Sequence, residues 1–295
     1  MTPLVIAHRG YKQVTPENTL AAFESAVHSG AQMIETDIHV CKSGEIVIMH
    51  DDNVGATSNG HGKISEMTLT ELKQLDVGGW FGDAYAGQQI VTLPELVEFY
   101  QKHPELKLLL EFKDEWTQEN CRRAIEQLNA GNLRERTVLE SFDTKTMASL
   151  RDVAPDYDRG LLIEYPDPNY PVTNSPLNLA AAPTNSNNLF ATGNRPDSTG
   201  GILANPIDAK ALTPQLLTLC KELDVMYLNP SVRIMWDHPE LVKQCHDAGL
   251  QVMVWTADKP ADFAHLTDLG VDAICTNKPA YLLGWLEGID PTVDA

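Results

Sequence analysis

Short apolar, β-branched runs recur along the chain, and the stretches between them return apolar residues every three or four positions. The runs predict strands at 4–7, at 33–38 with an arm at 46–49, and at 107–112, 137–142, 159–165, 225–228, 251–255 and 272–276. The stretches between predict helices at 16–27, 92–100, 117–129, 144–153, 213–223, 236–248, 259–269 and 279–286. Thr15 at the cap and Pro16 at the first helical position open the first helix, and Gly30 closes it. Strand and helix thus alternate eight times, which predicts parallel βα units, and eight such units close a barrel. The expected fold class is α/β, a (β/α)8 TIM barrel.

A barrel of this kind takes about 250 residues, and the surplus falls in two segments without a steady period. Residues 51–90 are polar and glycine-rich with a short helical pattern at 68–75, and read as a small insertion after strand two. Residues 166–206, rich in Pro, Asn, Ser and Gly, read as a long irregular loop after strand five. One domain over 1–295 is the expected organisation. An open doubly wound sheet is disfavoured, because His8-Arg9-Gly10-Tyr11-Lys12 puts charge where a dinucleotide fingerprint needs bare glycine backbone.

The balance of 41 acidic against 22 basic residues gives a net charge of −19, which excludes nucleic acid as a general partner and an anionic membrane surface as a docking site. An anionic substrate would need a locally positive pocket. The 5 cysteines are odd in number and show no CxxC spacing, so free buried thiols in a reducing compartment are expected. No apolar run approaches the roughly 18 residues of a membrane span, and MTPLVIAHRG lacks a signal-peptide pattern. The expected protein is soluble and cytoplasmic, with no integral membrane segment.

In a parallel barrel the active site lies at the C-terminal ends of the strands. Strand one ends in His8 and Arg9, strand two carries Glu35 and Asp37 with His50 at the tip of its arm, and strand three ends in Glu111-Phe112-Lys113. Glu35 and Asp37 lie two apart, so both side chains leave the same face of the strand. With Glu111 on the adjacent strand they would repel one another unless a cation neutralised them, and three carboxylates suit Mg²⁺ or Ca²⁺ better than zinc. His8 and His50 could divide the roles of general base and general acid. Arg9 and Lys113 supply the positive pocket a phosphoryl group requires. Trp255, at a strand end, reads equally as a wall for substrate or as core. The remaining histidines read as structural.

These residues in this order resemble the glycerophosphodiester phosphodiesterase family. The likeness rests on His8-Arg9-Gly10, Pro16-Glu17-Asn18-Thr19, Glu35-Thr36-Asp37, Gly44, His50-Asp51 and Glu111-Phe112-Lys113, with weaker echoes at Ser141-Phe142, Gly249, Trp255-Thr256 and Gly270-Val271-Asp272. It implies hydrolysis of a small-molecule glycerophosphodiester to glycerol 3-phosphate and an alcohol, through attack of the glycerol 2-hydroxyl and a cyclic phosphate that water opens. It would make Glu35, Asp37 and Glu111 ligands of the divalent cation, Mg²⁺ or Ca²⁺, His8 and His50 the acid/base pair, and Arg9 and Lys113 the phosphate holders. The chain departs from the pattern at Lys42-Ser43-Gly44, which lacks the usual acidic residue, at Gly55-Ala56-Thr57, where Arg-Thr-Thr is usual, and at Thr276-Asn277, where Thr-Asp is typical. Asp258 is a candidate to orient one of the histidines. Two rivals are a phospholipase D-like lyase on lysolipids or sphingolipids, favoured by an apolar entrance from Trp80, Phe81, Tyr165 and Phe190, and a non-catalytic phosphate-binding barrel.

Overall fold

The computed structural model of the chain describes residues 2–164 and 209–289. Eight parallel strands, β1 (Leu4–His8), β2 (Met33–Val40), β5 (Lys107–Phe112), β6 (Thr137–Ser141), β7 (Asp158–Ile163), β8 (Tyr227–Pro230), β9 (Gln251–Val254) and β10 (Ala273–Thr276), pair in that order. Pairing of β1 with both β2 and β10 closes the barrel. The expected arm is β3 (Ile46–Ile48), antiparallel to β2, with β4 (Val91–Thr92) beyond it. The residues between β3 and β4 close on a small apolar centre of Val54, Ile64, Leu72, Val77 and Ile90. The segment at 166–206, with Tyr165 beside it, lies outside the described residues.

The strands carry two apolar layers because their side chains alternate faces. Outward residues such as Ile34, Ile38, Leu108, Leu110 and Phe112 pack under the surrounding helices. Inward residues Ile6, Met33, Leu109, Val138, Met253, Ala273 and Cys275 fill the barrel. Above that plug inward positions turn polar, at Glu35, Asp37, Glu111 and Glu140, so the barrel is apolar at its base and polar at its top.

Polar caps set most helix starts. Threonine or aspartate side chains accept an N–H from the first turn of α1 (Leu20–His28), α2 (Leu69–Leu72), α3 (Leu93–Lys102), α4 (Gln118–Ala130) and α5 (Thr144–Val153). The remaining helices are α6 (Ala209–Glu222), α7 (Val232–Asp237), α8 (Glu240–Asp247), α9 (Pro260–Leu269) and α10 (Pro279–Leu286).

Two expectations are corrected. The helix expected at 236–248 is two helices, α7 and α8, because His238 precedes Pro239 and leaves the helical region, with φ −135° and ψ 61°. The first helix begins at Leu20 rather than Pro16, capped by Thr19 instead of Thr15. Residues 15–18 form a turn: Asn18 takes φ 56° and its N–H meets the Arg9 carbonyl at 3.0 Å. A capping sequence is spent here on shaping the barrel mouth.

Gly10 makes that turn possible. It holds φ +80°, and an added Cβ would stand 2.6 Å from the Ala22 side chain and 2.7 Å from its carbonyl. Gly10→Ala should therefore lower stability by about 2 kcal/mol or more, read as a shift in the urea midpoint at unchanged m-value. A midpoint equal to that of the parent would show that the turn relaxes freely.

Candidate active site

Strand register, more than chain proximity, assembles the site. His8 pairs with Glu35 across β1 and β2, Asp37 with Glu111 across β2 and β5, and Glu111 with Glu140 across β5 and β6. Each pair sits at the same height and on the same inward face. One carboxylate oxygen from each of Glu35, Asp37 and Glu111 lies within 4.8 Å of the others. Glu35 and Glu111 border one space with His8, Arg9, His50, Lys113 and Trp255, a pocket of about 440 Å³ of empty volume including its mouth. Asp37, fully buried, is not among the residues that border it.

Burial governs the charges. Lys113, only 3% exposed, places its Nζ 2.9 Å from Glu111 Oε1 and 3.6 Å from Asp37 Oδ1. Burial works against its ammonium, and the two carboxylates more than offset that, so it stays charged. Arg9, at φ 56°, turns its own N–H onto Glu35 Oε2 at 2.9 Å and its guanidinium toward Asp37 and Glu17. Burial would raise the Glu17 carboxyl, but Arg9 and Lys12 outweigh it and hold it at about 2. Asn18 donates to Asp37 Oδ2 at 2.8 Å and accepts from Thr36 at 2.7 Å. The turn after β1 is therefore the outer support of the carboxylate cluster.

The two cations do not neutralise everything. Burial, then Asp37, pushes the Glu35 carboxyl well above the usual carboxylate range. Burial raises Glu111 as well, to about 7, with Asp37 adding to it against Lys113. Glu35 Oε1 and Asp37 Oδ1 are buried without a hydrogen bond. An all-carboxylate donor set with buried oxygens that lack a hydrogen bond fits a hard divalent cation, which would meet those oxygens and discharge the repulsion.

Both histidines are held at Nδ1. His50 meets the Asp51 carboxylate at 2.8 Å, and His8 meets Asn277 Oδ1 at 2.7 Å. Burial first, then Arg9, depresses both imidazoles well below their ordinary value, with Lys12 next for His8 and Lys113 next for His50. Trp255 is both wall and anchor: it borders the pocket, packs edge-on against Phe142 at 5.4 Å, and donates its indole N–H to the Asn229 carbonyl. Of the apolar-entrance residues, Trp80 is 46% exposed and meets Phe81 edge-on, while Tyr165 and Phe190 lie outside the described residues.

Sequence reasoning missed Glu140 and Asn229. Both are buried and border the pocket, and Asn229 donates to Glu140 at 2.5 Å in space left by the bare Gly160. Burial and Glu111 push the Glu140 carboxyl well up. The available signal was a polar residue inside each of the short runs TVLES and YLNP. Asp258 acts on a histidine only at one remove, through Asn277.

A parallel barrel with carboxylates, histidines and basic side chains gathered at the C-terminal strand ends belongs to the class of barrels that carry their active site at that face. Residues 8–281 match the model of the glycerophosphoryl diester phosphodiesterase family. A glycerophosphodiester phosphodiesterase from Caldanaerobacter subterraneus subsp. tengcongensis is 30% identical over 288 residues, covering 96% of this chain and 97% of its own. A phosphodiesterase from Oleispira antarctica, solved in complex with the product sn-glycerol 3-phosphate, superposes with a TM-score of 0.74 at 26% identity, covering 97% of each chain. A putative glycerophosphodiester phosphodiesterase from Galdieria sulphuraria, also 26% identical, superposes with a TM-score of 0.71 and covers 97% of this chain and 98% of its own. The chain belongs to the glycerophosphoryl diester phosphodiesterase family and is an enzyme of that class.

The raised carboxyls give the cation-free protein a distinctive pH response. Folded Glu111 titrates at about 7 against an ordinary 4.5, so between those values the folded state holds more protons than the unfolded chain. Its contribution to stability therefore falls as pH rises through that window, and Glu35 and Glu140 shift in the same direction. A divalent cation competes with those protons, so it should raise the melting temperature more at pH 8 than at pH 5. Thermal melts of chelated and cation-loaded protein at both pH values test this; equal protection at both would show that protons and cation do not share the site.

Proposed function

We propose that this enzyme hydrolyses glycerophosphodiesters to glycerol 3-phosphate and an alcohol, in a reaction that depends on a divalent cation, Mg²⁺ or Ca²⁺. The observation that carries the reading is the clustering of Glu35, Asp37 and Glu111 at one buried mouth that also holds Arg9, Lys113 and two Nδ1-anchored histidines. The family match and the product complex of the Oleispira relative support it. Glu35, Asp37 and Glu111 would hold the cation. When bound, it would polarise a phosphoryl oxygen and acidify a nearby hydroxyl.

The chain's own residues supply the rest. Arg9 and Lys113 hold the phosphodiester by charge-assisted hydrogen bonds, with the cation offsetting the carboxylates around them. His8, neutral in the free enzyme, takes the proton from the glycerol 2-hydroxyl as that oxygen attacks phosphorus. Substrate charge between Arg9 and Lys113 offsets the cations that depress His50, which favours its protonated form and lets it protonate the departing alcohol. The phosphorus–oxygen bond to the alcohol breaks as the bond to the 2-oxygen forms, leaving a cyclic phosphate. Water then opens the ring with the two histidines exchanging roles. Trp255 walls the pocket beside the glycerol, and the free, buried state of all the described cysteines supports a reducing, cytoplasmic setting.

Two outcomes are expected. His8→Ala and His50→Ala should each lower turnover of glycerophosphocholine by about 10² or more, with the fold intact by circular dichroism; near-normal turnover would remove that histidine from the chemistry. Chelation should abolish turnover, and Mg²⁺ or Ca²⁺ should restore it. Phosphorus NMR of the products separates this hydrolase from a lyase, since a lyase would accumulate the cyclic phosphate.

A further inference from the structure

The pairing of β1 with β10 brings the end of one strand beside the start of the loop that leaves the other, with Ala7 opposite Thr276. His8 and Asn277 thereby meet across 269 residues of chain, His8 Nδ1 lying 2.7 Å from Asn277 Oδ1. Asn277 is itself clamped. Its Nδ2 donates to Asp258 Oδ2 at 2.5 Å, and its backbone N–H donates to Asp258 Oδ1 at 2.8 Å. Thr276 donates its hydroxyl to the same Oδ1 at 3.0 Å, which holds the carboxylate in turn.

With the imidazole neutral, this chain of bonds has one consistent proton arrangement. A carboxylate only accepts, so the face of the Asn277 amide toward Asp258 is its NH₂. The face toward His8 is then the carbonyl oxygen, which also only accepts. The hydrogen between Asn277 and His8 must sit on His8 Nδ1, leaving the lone pair on Nε2, the nitrogen that lies 3.8 Å from Glu35 Oε2 at the pocket.

We infer that Asn277, oriented by Asp258, is a positioning residue that holds His8 in the Nδ1–H tautomer with Nε2 bare toward the substrate. Asparagine delivers an acceptor without placing a charge against the imidazole, and the charge sits one hydrogen bond outward, on Asp258. The catalytic consequence rests on the reading of His8 as an acid/base group; the tautomer does not.

Long-range proton–nitrogen NMR of the full-length, chelated protein tests it directly. In the parent, His8 should show a pyrrole-type Nδ1 and a pyridine-type Nε2. Asn277→Ala should move both nitrogens toward mixed-tautomer values and lower kcat by about tenfold or more with KM less affected. The exchange pair Asp258→Asn with Asn277→Asp keeps an acceptor at His8 and a donor behind it, and should restore both the nitrogen pattern and most of kcat. A pyridine-type Nδ1 in the parent would overturn the assignment without recourse to any variant, and so would an Asn277→Ala protein with unchanged nitrogen shifts. Parent shifts as expected together with full turnover in His8→Ala would sustain the tautomer and overturn the acid/base reading.

Discussion

The rest of this molecule depends on the electrostatic cost of gathering buried carboxylates at one end of a barrel. Glu35, Asp37 and Glu111 are drawn together by the register of β2 and β5, and Glu140 follows one strand further on. In a low-dielectric mouth such groups cannot all stay ionised unaided. Lys113 from the end of β5 and Arg9 from the end of β1 answer part of that charge, while Glu35 Oε1 stays buried without a hydrogen bond. Only with the rest of that charge met by a bound cation would the mouth suit an anionic phosphodiester inside a chain of net charge −19.

Holding that arrangement requires local strain. Arg9, Asn18 and Asp114 all take left-handed backbone angles, at φ 56°, 56° and 62°, and each lies beside a strand end that feeds the site. Non-glycine residues in this region persist where surrounding bonds over-determine them. Here Asn18 is fixed by Asp37, Thr36 and the Arg9 carbonyl, and Arg9 by Glu35 and Glu17. The segment from Tyr11 to Thr19 thus gives up a helical turn that its sequence could have formed and becomes the brace of the carboxylate cluster.

Much of the candidate site was legible in the chain because its members stand where apolar strands end in polar residues. His8-Arg9, Glu35-Thr36-Asp37 and Glu111-Phe112-Lys113 break the apolar pattern visibly, and strand alternation alone puts Glu35 and Asp37 on one face. Glu140 and Asn229 were not legible, since a single polar residue within a short buried strand acquires meaning only from what lies across the register. Glu17 and Asn18 were misplaced for the opposite reason: Thr-Pro-Glu-Asn carries strong helix-start chemistry, and local propensity lost to long-range bonds with Arg9 and Asp37.

The linear pattern of residues was enough to establish the eightfold alternation of strand and helix, hence the barrel, and the set of residues crowded at its C-terminal mouth, because both follow from periodicities of two and 3.6 along the chain. Which of those residues touch was settled by the closed fold alone. Barrel closure seats His8 beside Asn277, parallel register sets Asp37 level with Glu111, and the bare Gly160 admits Asn229 to Glu140. Contacts of that kind depend on strand order and stagger, quantities of the closed sheet that no local window of sequence contains.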